Sequence, residues 1–288
     1  MIDTKLPIAF QGVAGAYSDM ACRAVFPGRE TLPCESFEDT FATVVEGRAD
    51  LAMIPIDNSS AGRVADIHHL LPNSGLHIIG EHFQKVEHQF LAPKGATFES
   101  VKIVRSHVQG LAQCRAFIRE RGLTPIWHAD TAGAAAEVAA SGDVTQSAIA
   151  SKLAGEIYGM ETLAENVQDI EHNTTRFLIM SREPLDPEPD SGPAITSFVF
   201  RVRSVPASLY KALGGFATNG VNITKLESYI VDGTFKVAQF YADVEGHPHH
   251  RGLRLALEEL SFFSREVKIL GVYPASPFRL TEAEPSGD

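Results

Sequence analysis

The chain changes rhythm at "SREPLDPEPDSGPA" (Ser181–Ala194), where four prolines stand among acidic residues. Pro-rich, charged stretches resist packing and run as extended linkers. The break therefore divides the 288 residues into parts of about 180 and about 90, a size that suits two domains.

Upstream, apolar strands alternate with helical periods. "LPIAFQG" reads as a strand that breaks at "GVAG" and enters the helix of "AYSDMACRAVF". "SFEDTFATVVEG" reads as a helix capped by Ser36 with Asp39 three residues on, with Phe37, Phe41, Val44 and Val45 along one face and Gly47 at its end. "ADLAMIPIDNS" is a buried strand, "GRVADIHHLL" a helix, and "VKIVRS" a strand feeding the helix "VQGLAQCRAFIRE". An Ala-rich helix, "TAGAAAEVAASG", precedes the strand "SAIAS" and the helix "KLAGEIYG". This α/β alternation predicts parallel sheets covered on both faces, with ligands bound beyond the carboxyl ends of strands. Downstream the order is strand "AITSFVFRV", helix "ASLYKALGGFATNG", strands "VNITKLESYIV" and "TFKVAQFYADVE" joined by the turn "VDGT", helix "HRGLRLALEELSFF" and strand "VKILGVYP". That βαββαβ order is the ferredoxin-like α+β unit.

Lys and Arg total 25 against 36 Asp and Glu, a formal net charge of −11. Nucleic-acid and anionic-membrane partners need a basic face, so neither is expected. A small anion remains compatible, because a few local cations or helix N-termini suffice to hold it. Cys22, Cys34 and Cys114 form no CxxC pair, which favours reduced thiols. With no basic n-region, no long apolar h-region and no run of about 18 apolar residues, a cytoplasmic protein is expected.

Several polar clusters sit where strands meet helices. "FQGVAGAYSD" carries only G-x-x-G, short of a dinucleotide fingerprint, and reads either as an anion-binding turn or as a turn that needs glycine. Asp57, Asn58, Ser59 and Ser60 follow the buried strand ending near Ile56, as cleft groups or as an Asx turn. Ser106 reads as an N-cap with Gln109 completing a capping box, or as a binding group sharing a helix face with Gln113. "NTTRF" opens the apolar run Phe177–Met180 with an amide, two hydroxyls and a guanidinium. It is a polar strand start or a site where Arg176 holds a carboxylate and a hydroxyl assists a leaving oxygen. His68-His69 and "GHPHHRG" lack partners at ligand spacing, so no metal site is expected. No Gly-x-Ser-x-Gly elbow appears.

Taken in order, "GVAGAYS", "PIDNSSAGRV", "SHVQGLAQC", "DTAGAAAEVA", "SAIAS" and "NTTRF" resemble the motifs of the prephenate dehydratase family, over essentially the whole chain. "ASLYKALGGFATNGVNITKLES", "FYADVEGH" and "VKILGVYP" resemble its regulatory ACT domain. The resemblance implies a two-lobed catalytic region like a periplasmic binding protein, with the active site between the lobes. On this reading residues 1–182 are catalytic (about 6–84 with 172–182, and 85–171), 183–194 the linker, 195–280 the ACT domain and 281–288 a tail. The implied reaction converts prephenate to phenylpyruvate, water and CO2 without cofactor or metal. Carried over by motif, Thr175 is the essential threonine, and Arg176, Asn58, Ser59, Ser106, Gln113, Gly15, Ala16 and Tyr17 bind substrate. L-Phenylalanine is the implied effector, at Ala207, Ser208, Leu209, Asn222, Glu227 and Ser228, in a homodimer or homotetramer. The chain departs from the pattern at Val13 and Val108, where proline is usual. It departs again at Ala207, where glycine is usual, and at Tyr229-Ile230, where Arg-Pro is usual. An arogenate dehydratase and a non-catalytic amino-acid sensor are the alternatives.

Overall fold

The computed structural model describes residues 6–64, 67–203, 205–231 and 238–282. Residues 6–43, 48–64 and 82–177 form one compact unit, and the remaining described residues form a second. Residues 67–81 and 178–182 fall in the second of these units.

In chain order the elements are β1 (Ile8–Gln11), α1 (Tyr17–Val25), β2 (Thr31–Cys34), α2 (Phe37–Val45), β3 (Leu51–Asn58) and β4 (Gly62–Arg63). Next come α3 (Ile67–Leu70), a 3-10 turn (Leu71–Asn73), β5 (His77–Lys85), β6 (Gln89–Ala92), β7 (Ile103–His107), α4 (Val108–Gln113) and α5 (Arg115–Glu120). Then follow β8 (Thr124–His128), α6 (Thr131–Ser141), β9 (Gln146–Ala150), α7 (Lys152–Tyr158), β10 (Glu161–Ala164) and β11 (Thr174–Ser181). The C-terminal part comprises β12 (Ala194–Val202), α8 (Ser208–Thr218), β13 (Ile223–Ile230), β14 (Ala238–Glu245), α9 (Arg251–Phe263), β15 (Ser264–Pro274) and α10 (Pro277–Glu282).

Two sheets carry the upstream part, ordered β2-β1-β3-β11-β5 with β4 beside β3, and β10-β6-β9-β7-β8. They are not wholly parallel as the alternation predicted. β1 runs parallel to β2 and β3, and β7 to β8 and β9, but β6 runs against both β9 and β10. Only Val86–His88 separate β5 from β6, so the chain passes directly from the first sheet into the second.

Local chemistry explains most boundaries. The Ser36 hydroxyl accepts from Asp39 N at 3.0 Å and caps α2 as its spacing predicts. Asp130 and Ser151 cap α6 and α7 by accepting from Gly133 N and Ala154 N, and left-handed Gly142 and Gly159 end those helices. Ala132, Ala134 and Ala135 are fully buried, so small side chains let α6 lie close to its sheet among Leu91, Ala148 and Ala150. Two helix readings need correction. "GRVADIHHLL" gives only β4, the single turn of α3 and the 3-10 turn, with Ala65 and Asp66 outside the described residues. "VQGLAQCRAFIRE" is two helices, because Cys114 (φ −124°, ψ 28°) leaves the helical region between them.

The first glycine-containing motif is clamped by α7. The Ser151 hydroxyl donates to Gly15 O, and the Tyr158 hydroxyl donates to Ala14 O at 2.8 Å. Gly15 has φ +86°, and a Cβ there would lie 2.8 Å from Ala154 Cα. Glycine is required for that close approach and for the backbone conformation.

Downstream, the βαββαβ unit is as predicted, with sheet order β13-β14-β12-β15 and every pairing antiparallel. Its core joins Phe198, Phe200, Ala212, Phe216, Leu253, Ala256 and Leu260 from sheet and both long helices. On the other face Ser197, Tyr241, Asp243 and Tyr273 form a buried hydrogen-bonded cluster against the edge of the His68 ring. The turn "VDGT" lies beyond the described residues except for Val231, and α10 is a helix not expected from the sequence that crosses the 280/281 boundary between the ACT domain and the tail.

Gly15→Ala is expected to cost at least about 2 kcal/mol, from backbone strain plus overpacking. Ala207, in the left-handed region at φ +62°, should show the opposite: Ala207→Gly should stabilise by about 1 kcal/mol. Urea unfolding of both variants checks the two signs.

Candidate active site

Six side chains of the first unit form one continuous hydrogen-bonded chain. Asn58 Nδ2, at the end of β3, donates to Thr175 Oγ1 at 2.9 Å and to Asn173 Oδ1 at 2.8 Å. Asn173 Nδ2 donates to Gln113 Oε1 at 3.0 Å, and His88 Nε2 lies 2.9 Å from that same oxygen. His88 Nδ1 lies 2.9 Å from the Tyr17 hydroxyl, which also reaches Glu87 O at 3.0 Å. The Asn58 carboxamide oxygen takes Ser60 N and Ala61 N, so all four hydrogen-bonding positions of that side chain are filled.

Backbone pairing sets these positions. Ser59 N donates to Thr174 O and Thr174 N to Ser59 Oγ, which fixes the end of β3 against the start of β11. Val86 N donates to Asn173 O at 2.8 Å and Val167 N to His88 O at 2.9 Å, which place the β5–β6 connection beside Asn173.

The chain has a direction. Gln113 Oε1 accepts from Asn173, so the hydrogen at its contact with His88 belongs to Nε2. His88 Nδ1 is then the acceptor for the Tyr17 hydroxyl. At the other end Thr175 Oγ1 accepts from Asn58 and keeps its own proton for another acceptor.

Five of the six side chains line a cavity of about 270 Å³: Thr175, Asn58, Gln113, His88 and Tyr17. The N-terminal ends of α1, α4 and α6 also border it, through Ala16–Ser18, His107–Gly110 and Ala129–Thr131. Helix N-termini carry positive dipole ends, but Gln109 N and Gly133 N are taken by His107 and by the Asp130 carboxylate. The start of α1, with no side-chain cap, is therefore the one that offers N–H groups to an anion. No lysine or arginine lines the cavity among the described residues, and its one carboxylate, Asp130, caps α6. Burial lowers the pKa of His88, opposed by the hydrogen bond to Gln113. Burial also lowers that of His107, opposed by Asp130. Both imidazoles are therefore neutral near pH 7. Burial, with Cys114 and Glu87 nearby, raises the Tyr17 phenol well above its usual range.

The residues anticipated from sequence separate into two groups. Thr175, Asn58, Gln113, Ala16 and Tyr17 meet at the cavity. Arg176 does not line it: strand alternation sends this side chain away from Thr175 and Phe177, buried with Nη1 3.8 Å from Asp57 Oδ2. Ser106 is fully buried and donates to Ile149 O at 2.6 Å, and the N-cap of α4 is His107. Gly15 N is taken by Asp19 Oδ2 at 2.9 Å, and Ser59 holds β11 by its hydroxyl. These residues shape the site from behind. His88 escaped sequence reading, and Asn173 carried no assigned role. The available signal was a histidine and glutamine, His88-Gln89, opening the buried run Phe90–Ala92.

A family model described as prephenate dehydratase matches residues 8–185. A bifunctional N-acyl-homoserine lactone acylase/prephenate dehydratase of Komagataeibacter europaeus is 54% identical over 272 residues, covering 94% of this chain and 97% of that protein. A chloroplastic arogenate dehydratase/prephenate dehydratase of Arabidopsis thaliana is 40% identical over 286 residues, covering 94% of this chain and 73% of that protein. Among solved structures, a prephenate dehydratase from Arthrobacter aurescens in complex with L-Phe superimposes with a TM-score of 0.84 at 28% identity, covering 93% of this chain and 90% of that one.

Asn58→Ala removes two donors and two acceptors from a half-buried network. It should lower unfolding free energy by about 1–3 kcal/mol, read as a lower urea midpoint with an unchanged slope.

Proposed function

The chain belongs to the prephenate dehydratase family, and from that premise we propose that this cavity converts prephenate to phenylpyruvate, water and CO2. The observation that carries the assignment is the Thr175 hydroxyl, which borders the cavity, accepts from Asn58 and so has its proton free for a ligand oxygen. Decarboxylation breaks a C–C bond and sends its electron pair into the ring. The C–O bond breaks with its pair leaving on oxygen, and one proton completes the water. A threonine hydroxyl is too weak an acid to supply that proton outright. It lowers the barrier by hydrogen bonding to the oxygen as negative charge develops.

The substrate carries two carboxylates, and the start of α1, which has no side-chain cap, offers N–H groups to one of them. Arogenate carries an ammonium where prephenate has a keto oxygen. Asp130 keeps its negative charge while capping α6, so the relative rates on the two substrates decide which is preferred. An amide hydrolase of the kind in the Komagataeibacter relative's name needs an activated nucleophile. No serine or cysteine side chain is hydrogen-bonded to a histidine ring in the described cavity, so the dehydratase reading has the stronger support.

L-Phenylalanine acts as effector through the C-terminal βαββαβ domain in this proposal, supported by the L-Phe bound in the Arthrobacter structure. Of the six anticipated positions, Ala207 and Ser208 sit at the start of α8, Asn222 precedes β13, and Glu227 and Ser228 lie on β13. Leu209 packs against the core, so its part would be structural. A cytoplasmic homo-oligomer, with residues 183–194 linking the two functions, completes the proposal.

The test follows phenylpyruvate absorbance with purified protein and prephenate, with or without L-phenylalanine, and follows phenylalanine formation when arogenate is the substrate. Prephenate should be turned over faster than arogenate, and phenylalanine should slow it. Thr175→Ala should lower kcat by about 10²–10³-fold with KM within a few-fold, the pattern of an interaction made in the transition state. Thr175→Ser should retain activity within about tenfold. Near wild-type kcat in a folded Thr175→Ala protein would refute the assignment.

A further inference from the structure

We propose that His88 is the proton store of this site: it takes up a proton when a dianionic substrate enters and delivers it, through the Tyr17 hydroxyl, to the departing hydroxide. This deepens the dehydratase reading and rests on it.

The need comes from the balance of the reaction. Loss of CO2 and hydroxide from the dianion leaves a monoanionic product, so each turnover consumes one proton. The cavity offers two imidazoles and no ammonium or guanidinium among its described lining residues. Bringing two negative charges beside a buried imidazole favours its charged form. Charge thus selects a histidine, and hydrogen bonding decides which one.

His107 is poorly placed. Its Nδ1 accepts from Gln109 N at 3.3 Å as the cap of α4, so Nε2 already bears the hydrogen. A second proton would go to Nδ1 and break the cap.

His88 takes the proton without losing a bond. Its Nε2 donates to Gln113 Oε1, so the vacant position is Nδ1, facing the Tyr17 oxygen at 2.9 Å. When Nδ1 is protonated the contact reverses, and the Tyr17 oxygen becomes the acceptor. The phenolic proton turns to Glu87 O, 3.0 Å away. Every donor and acceptor is satisfied in both states. On delivery the phenolic proton swings from Glu87 O to the leaving oxygen in the cavity that Tyr17 lines, and the Tyr17 oxygen accepts the proton of Nδ1. No alkoxide or phenolate is left behind. The groups facing this pair are few: Tyr17 from α1, Gln113 from α4, Glu87 and Gln168 Oε1, which accepts from His88 N, with Cys114 acting on Tyr17 through space.

The pH dependence follows. The free protein holds His88 neutral near pH 7, whereas the productive complex holds it charged, so binding takes up a proton. For the unsubstituted protein kcat/KM should fall up to tenfold per pH unit from pH 6.5 to 8.5. His88→Gln should lower kcat/KM by about 10²-fold at pH 6.5 and flatten the profile, so the deficit shrinks toward pH 8.5. His107→Gln should keep the slope. Prephenate binding in buffers of different ionisation enthalpy should show proton uptake that His88→Gln abolishes. A deficit equal at every pH, or a slope and uptake retained in His88→Gln, would overturn the inference. Absence of turnover in the unsubstituted protein would instead fail the dehydratase reading, and the uptake measurement would still decide His88.

Discussion

The saturated carboxamide of Asn58 is the constraint on which the site depends. It spans from the end of β3 to two residues of β11, with its oxygen held by Ser60 N and Ala61 N. Because the amide nitrogen can only donate to Thr175, the threonine proton is not given to Asn58. A buried, fully satisfied network has one low-energy arrangement, since any alternative leaves a polar group unpaired. The same chain of bonds then fixes Asn173, Gln113, the tautomer of His88 and the side of its ring that can take a proton. An electrostatic catalyst gains by such preorganisation, because no dipole must turn as charge develops.

A protein of net charge −11 surrounds this cavity, and its described lining has no lysine or arginine. Overall charge reports on long-range partners and not on one cleft. Three helices begin at the cavity rim, and their starts are fixed by tight chemistry: Gly15 against Ala154 for α1, His107 for α4 and Asp130 for α6. With no permanent side-chain cation in the described lining, a titrating group can supply a positive charge that tracks the ligand.

The order of elements, the βαββαβ unit and the Ser36 cap were legible in the sequence, because each depends on local period or spacing, whereas the grouping of Thr175 with Asn58 and Gln113 came only from the family resemblance. The errors share a physical cause, which is that long-range pairing is invisible to local pattern. Arg176 looked like a carboxylate binder by residue type, yet its neighbour Thr175 occupies the cavity face, and strand alternation sends the guanidinium to the other side. Ser106 looked like a cap, yet the helix starts one residue later and its hydroxyl serves the adjacent strand at Ile149. Gly15 marked a turn that needs glycine, since a Cβ there would meet Ala154. His88 gave no periodic signal at all. Its partners are 25 residues ahead at Gln113 and 71 behind at Tyr17.

Asn58 acts on the chemistry through Thr175 in this mechanism. A double-substitution cycle on kcat measures that coupling, comparing Asn58→Ala, Thr175→Ala and the combined variant in folded protein. If Asn58 works by directing the threonine hydroxyl, its removal should cost almost nothing once that hydroxyl is gone. The combined variant should then lie within about twofold of Thr175→Ala alone. Losses that multiply would show two independent contributions and contradict the account.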